Sequence, residues 1–234
     1  MPPLSVIIPT LNESLRLRAT IAGVRAHWPE AEIIIADGGS HDGTAENAVA
    51  AGVRLVCSPR GRGQQCRAGV AAASGELLLF LHADTTLPKN AADVIATAFA
   101  RPAVQIATFR LAFDAPNLFL RACAWLTRID SVFTRFGDQG IVVRRSFYDE
   151  LGGFPGWSLF EDVELLRRAR RVTRIWSLPA AVTTSARRFH RRGPLRQQLQ
   201  NGRLLLRFLL GTPPEILAAE YQPEPVATRP PPCP

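Results

Sequence analysis

The residues best placed to do chemistry lie in Gly75 to Pro88. Leu77 to Leu81 is an unbroken apolar run. That is the pattern of a strand buried on both faces, as in a parallel sheet with helices above and below. It stops at His82-Ala83-Asp84. A carboxylate at the carboxyl end of such a strand lies where open α/β sheets bind ligands. Asp84 is therefore placed to hold a cation and, through it, a phosphate. His82 offers a further ligand or hydrogen-bond partner. The alternative use of Asp84 is as a cap for a helix beginning near Pro88.

Asp37-Gly38-Gly39-Ser40-His41-Asp42-Gly43-Thr44 is the second such stretch. Its glycines allow backbone N–H groups to come close to a ligand. Asp37, Ser40 and Asp42 could meet the N–H of a base or the hydroxyls of a ribose; Ser40 or Asp42 could equally cap the next helix. Gly61-Arg62-Gly63 lacks the third glycine of a dinucleotide loop, so Arg62 reads as a diphosphate or base contact, or as a solvated arginine. Glu161-Asp162 opens a strong helical pattern. One carboxylate could deprotonate an acceptor hydroxyl while the other holds it, or both could serve the helix dipole. Arg187-Arg188 and Arg191-Arg192 suit a departing diphosphate, anionic lipid or a solvated basic face.

The elements that must position these groups alternate. Strands are expected at Leu4–Ile8, Ile33–Ala36, Val53–Cys57 and Leu77–Leu81, with helices between them and short connections. That is a parallel βαβαβαβ arrangement with right-handed crossovers. Pro9, Asp37, Cys57 and Asp84 then share one carboxyl edge. Beyond it, the pattern predicts an antiparallel or edge strand at Ile106–Phe113. Helices are expected over Leu118–Phe133 and Phe160–Arg171, and short strands at Gly140–Val143 and Ile175–Leu178. The reading is one α/β domain, residues 1–220, with a mostly parallel central sheet flanked by helices. Residues 1–90 form a nucleotide-binding half and 91–220 an acceptor and catalytic half. Residues 221–234 form a Pro-rich tail.

A 234-residue chain of 47% hydrophobic and 21% charged residues is globular in composition. Its net charge of +8 rests almost wholly on arginine, Lys89 being the only lysine. The charge fits a phosphorylated small molecule, nucleic acid or an anionic membrane. The four cysteines show neither CxxC pairing nor zinc spacing; Cys57 and Cys123 read as small core residues. No signal peptide or spanning segment is recognisable, so the cytoplasm is the expected location, with peripheral membrane contact through Leu118–Phe133 and Arg187–Leu210.

Taken in order, Ser5-Val6-Ile7-Ile8-Pro9-Thr10-Leu11-Asn12-Glu13, the Asp37–Thr44 turn, the Gly75–Pro88 segment and Glu161-Asp162-Val163-Glu164-Leu165 resemble a family 2 glycosyltransferase of the GT-A fold. With Gly137-Asp138-Gln139-Gly140 and Thr184 to Phe189, the chain is similar to a bacterial subgroup of radical-SAM/selenodomain-associated transferases. The resemblance implies inverting transfer of a sugar from a nucleotide-diphosphate donor. Pro9, Glu13, Asp37 and Arg62 would line the nucleoside pocket. Asp84 would be the last carboxylate of the family's Asp-x-Asp motif and bind Mn2+ or Mg2+, with His82 replacing the first. Asp162 would be the general base, with Glu161 beside it. Asp138 and Gln139 would lie near the acceptor, and Arg187 and Arg188 near the diphosphate. Two other classes stand beside it. One is a nucleotidyltransferase or sugar-nucleotide hydrolase, though Pro9–Glu13 is not the Gly-rich loop such enzymes carry. The other is a non-catalytic basic module for nucleotides, nucleic acid or membrane; no aromatic-interleaved platform for single strands is present, and no nucleic acid is expected.

Overall fold

Alternate residues of the central strands enter two different cores. Val6, Ile8, Leu77 and Leu79 pack on one face of the sheet, while Ile7, Leu78 and Phe80 pack on the other. This explains why these segments are apolar without alternation. The structure, a computed structural model, describes residues 2–221. Apart from Tyr221, the Pro-rich tail lies outside the described residues, as do Cys233 and the side chain of Arg191.

The first half runs β1 (Leu4–Thr10), α1 (Ser14–His27), β2 (Glu32–Asp37), α2 (Thr44–Ala50), β3 (Arg54–Cys57), α3 (Arg62–Ala72) and β4 (Leu77–Phe80). The four strands pair in parallel, as the sequence predicts. β5 (Thr85–Thr86), α4 (Ala91–Phe99), β6 (Ile106–Phe113) and α5 (Leu118–Leu126) follow, then a 3-10 turn at Gly137–Gln139 and β7 (Ile141–Arg144). The chain continues through α6 (Arg145–Glu150), α7 (Glu161–Val172), β8 (Trp176–Thr184), α8 (Arg187–Arg192), α9 (Pro194–Leu209) and α10 (Pro214–Tyr221). All eight strands form one sheet, in the order β3-β2-β1-β4-β7-β6-β8-β5. β7 is antiparallel to β4 and to β6, and β5 to β8.

Several expectations need correction. Ile106–Phe113 is antiparallel to one neighbour, but it lies inside the sheet, with β8 parallel on its other side. β8 has nine residues, more than twice the expected strand, and passes through Pro179. Proline has no N–H to give a ladder, and Pro179 falls where the β6–β8 register shifts. The helix expected over Leu118–Phe133 stops at Leu126. There Thr127 turns its hydroxyl back to the Ala124 carbonyl and also accepts the Leu111 N–H. Neither Cys57 nor Cys123 is a core residue; among the described residues the buried cysteine is Cys66. α10 has no counterpart in the sequence reading.

Candidate active site

The carboxyl ends of β1, β2 and β4 open on one edge, and the loops there are tied to each other. Thr10 donates its hydroxyl to Asp37 at 2.9 Å. Gly39 N, Ser40 N and Ser40 Oγ also donate to Asp37, at 3.0, 2.8 and 2.6 Å. These bonds fill the acceptor capacity of one carboxylate. Ser40 Oγ in turn accepts from Asn12 N, and Asp42 from Ser14 N and from Thr44 N and Oγ1. Asp37, Ser40 and Asp42, read from the sequence as ligand groups or helix caps, form the joint between the β1–α1 and β2–α2 loops. Asn12 holds a left-handed φ of 55° in that joint and accepts the His41 N–H. Pro9 is half-buried at the end of β1.

Asp84 does not cap α4, whose cap position is Asn90. It directly precedes β5, which is pinned to β8 by the Thr85–Thr184 pair. Arg187, at the start of α8, reaches Glu13 at 2.5 Å and Asp84 at 3.9 Å. One guanidinium thus spans two carboxylates from distant parts of the chain. Half-buried His82 lies near two cations. Burial, with Arg62 and Arg188, presses its pKa down to about 3, so the imidazole is neutral. Arg188 donates to Tyr221 Oη at 2.8 Å and stacks on its ring.

Glu161 and Asp162 open α7 behind Phe160, a non-glycine residue with φ 63°. Glu161 is 1% exposed and faces Arg62 at 3.2 Å. Burial raises its pKa to about 7, Arg62 opposing and Asp162 adding to the rise. Asp162, 8% exposed, accepts Gly137 N at 2.5 Å and Val163 N at 2.8 Å. A side chain at Gly137 would meet Asp162 at 3.0 Å, so glycine permits that approach. Asp138 is raised to about 7 by burial, with Asp162 and Asp84 adding and Arg62 opposing. Its Oδ1 is shielded and has no hydrogen-bond partner. Gln139 is fully buried and donates to the Thr134 carbonyl, bracing the 3-10 turn.

The structure thus gathers Glu13, Arg62, His82, Asp84, Asp138, Glu161, Asp162 and Arg187 along one edge. A set of buried carboxylates beside two arginines can accept a proton on one side and stabilise an oxyanion on the other. Sequence reasoning missed two contributors. Gln65 donates to the Thr10 and Ala36 carbonyls, at 2.6 and 3.0 Å, and locks β1 to β2 at the edge. Its signal was its place just after the Gly61–Gly63 loop. Tyr221 holds Arg188 from the far end of the chain and carries no local signal.

A family model described as "Glycosyl transferase family 2" matches residues 5–150. No curated protein matches the chain in sequence. Among solved structures, the mannosyltransferase PcManGT from Pyrobaculum calidifontis, in complex with GDP-Man and Mn2+, is 20% identical with a TM-score of 0.67. That match covers 94% of this chain and 69% of the other. S. aureus TarS 1-349 is 18% identical, TM-score 0.62, over 79% of this chain and 60% of its own. Glucosyl-3-phosphoglycerate synthase from Mycobacterium tuberculosis, in complex with Mn2+, uridine-diphosphate and glucosyl-3-phosphoglycerate, is 19% identical, TM-score 0.56, over 79% of this chain and 70% of its own. These likenesses are of fold, the GT-A fold.

Proposed function

The chain belongs to glycosyl transferase family 2, and from that premise we propose that it moves a sugar, with inversion, from a nucleoside-diphosphate donor to an acceptor hydroxyl. The observation that carries this reading is Arg187. It crosses from α8 to Glu13 and Asp84 at the edge where the parallel strands end. A guanidinium fork with two carboxylates there suits a diphosphate arriving with a divalent cation. Residues 1–90 then serve the nucleotide and 91–220 the acceptor. Leu81-His82-Ala83-Asp84 and Gly137-Asp138-Gln139 keep the resemblance to the radical-SAM/selenodomain-associated subgroup.

The fold family implies Mn2+ or Mg2+. Among the described residues no cluster of three or more His, Cys, Asp or Glu forms a metal site. The donors do fit a cation shared with the substrate. Asp84 supplies a carboxylate and neutral His82 a lone pair. Mg2+-type sites commonly take one or two carboxylates and complete their shell with phosphate oxygens and water. When bound, the cation would neutralise charge on the departing diphosphate.

The chain's own residues supply the rest. The acceptor oxygen attacks the anomeric carbon as the bond to the diphosphate breaks. Its proton passes to Asp162, and the bonding pair leaves with the diphosphate. Asp162 is aimed by the N–H groups of Gly137 and Val163. Arg187 and Arg62 stabilise the leaving charge. Glu161, facing Arg62 and not the solvent, is a positioning residue for that arginine. A non-catalytic basic module explains less, because burying Asp138, Asp162 and Glu161 together destabilises a chain that gains no chemistry from them.

The test is Asp162→Asn, which keeps an oxygen for the Gly137 N–H. Release of nucleoside diphosphate from the donor, with water or a found acceptor, should fall by about 100- to 10,000-fold. Nucleoside-diphosphate binding should stay within about twofold. Equal loss of both would make Asp162 a structural residue.

A further inference from the structure

α9 is apolar on two opposite sides. Its inner side, with Leu204 and Leu205, is buried. Leu195, Leu199 and Leu206 are 61%, 65% and 53% exposed. At 3.6 residues per turn they fall within an arc of about 40° on the outer side. Leu210, just past the helix, extends the stripe and is 77% exposed. α5 has the same construction. Leu120 is buried, while Leu118 and Trp125 are 79% and 57% exposed on the opposite side. Ile129 and Phe133, in the turns beyond α5, are also more than half exposed. α5 packs against α9, so the two helices with apolar outer faces adjoin. Scattered exposed leucines need no explanation, but two adjoining helices with apolar outer faces do.

The flank of that surface is cationic. An open cleft of ≈ 620 Å³ beside the α9 stripe is lined by Arg192, Arg196, Leu199, Gln200, Arg203 and Glu220. Glu220 is already bonded by Arg207, at 2.6 and 2.7 Å, so the cleft keeps an excess of positive charge. No helix among the described residues is long and apolar enough to cross a membrane.

We infer that this face docks on an anionic lipid surface. The leucines and Trp125 enter the interface, and the cleft takes a lipid phosphate. Outward leucine and tryptophan with arginines at the flank are what an interfacial helix requires, because long arginine stems lie along apolar surface while their heads reach phosphate. Charge decides against the other occupants. A second copy would bring the same basic flank to the contact, with no surplus of acid to meet it. Residues 222–234 contain a single large aliphatic residue, Val226, too little to cover the stripe. The chain's net charge of +8 acts in the same direction as the flank.

The test uses the full chain in vesicle sedimentation. Vesicles of phosphatidylcholine alone are compared with vesicles in which about a third is phosphatidylglycerol. The anionic vesicles should bind at least about tenfold more tightly, and about 0.5 M salt should weaken that binding. Leu199→Asn with Leu206→Asn should weaken it by about tenfold or more. Arg196→Gln with Arg203→Gln should weaken it by about 10- to 30-fold. All four positions are exposed, and unchanged thermal unfolding would show that the variants fold. No binding of the wild type to anionic vesicles would overturn the inference. So would binding that neither variant reduces, or a dimer in sedimentation velocity that the leucine variant converts to monomer.

Discussion

Asp138 is a carboxyl group kept where its charge is unwelcome. Burial and the neighbouring Asp162 and Asp84 raise its pKa from 3.8 to about 7. A raised folded-state pKa contributes stability at low pH, and that contribution is lost as pH rises from about 4 to about 7. Asn carries no charge at any pH. Asp138→Asn should therefore leave the unfolding temperature near that of the wild type at pH ~4. By pH 8 it should raise it by about 2–6 °C, a gain of about 1–2 kcal/mol, while transfer falls. A pH-independent difference would mean that Asp138 remains ionised in the fold. Glu161 shares the direction of shift, but its replacement would leave Arg62 without its carboxylate. At this scale the sequence made the placement of Asp84 legible, after an apolar run, and that of Glu161-Asp162, at the opening of a helix. It did not show how Asp37 and Gln139 are held, because type and spacing do not reveal which neighbouring groups a side chain bonds.

Phe160 shows how elements far apart in sequence set the geometry of the site. A left-handed φ of 63° at a bulky residue is strained, on the order of 1–3 kcal/mol, and needs support from its surroundings. Its ring stacks on Phe208 of α9, with centroids 4.9 Å apart, and Trp157 meets the same ring edge-on. α9 therefore helps hold the turn that aims Glu161 and Asp162. Phe208→Ala should cost about 1–3 kcal/mol of stability. It should also lower kcat more than donor affinity, and Phe208→Tyr should restore both. A loss of stability with kcat unchanged would leave α9 as packing alone. The parallel half of the sheet was legible because each strand is an uninterrupted apolar run bounded by turn residues. α10 and the full length of β8 were not. One rests on contacts with Leu159 and Leu204, the other on pairing with β6, and neither leaves a local period to read.

Taken whole, the molecule joins a parallel β-α alternation to a second half that brings Glu161, Asp162 and the arginines of α8; the proposed transfer would use the first for the nucleotide and the second for catalysis. The family match ends at residue 150, before Asp162 and Arg187. The claim that the two halves build one donor site therefore rests on contacts such as Arg187 with Glu13 and Asp84. Calorimetric titration with UDP and with GDP, each with and without Mn2+, tests that claim most directly. One of the two should bind, more tightly with Mn2+. Asp84→Ala should abolish the gain from metal, and Arg187→Ala should weaken binding by about tenfold or more. If UDP or GDP binds but its binding ignores Mn2+, Asp84 and Arg187 alike, the two halves do not build one donor site and the account is contradicted.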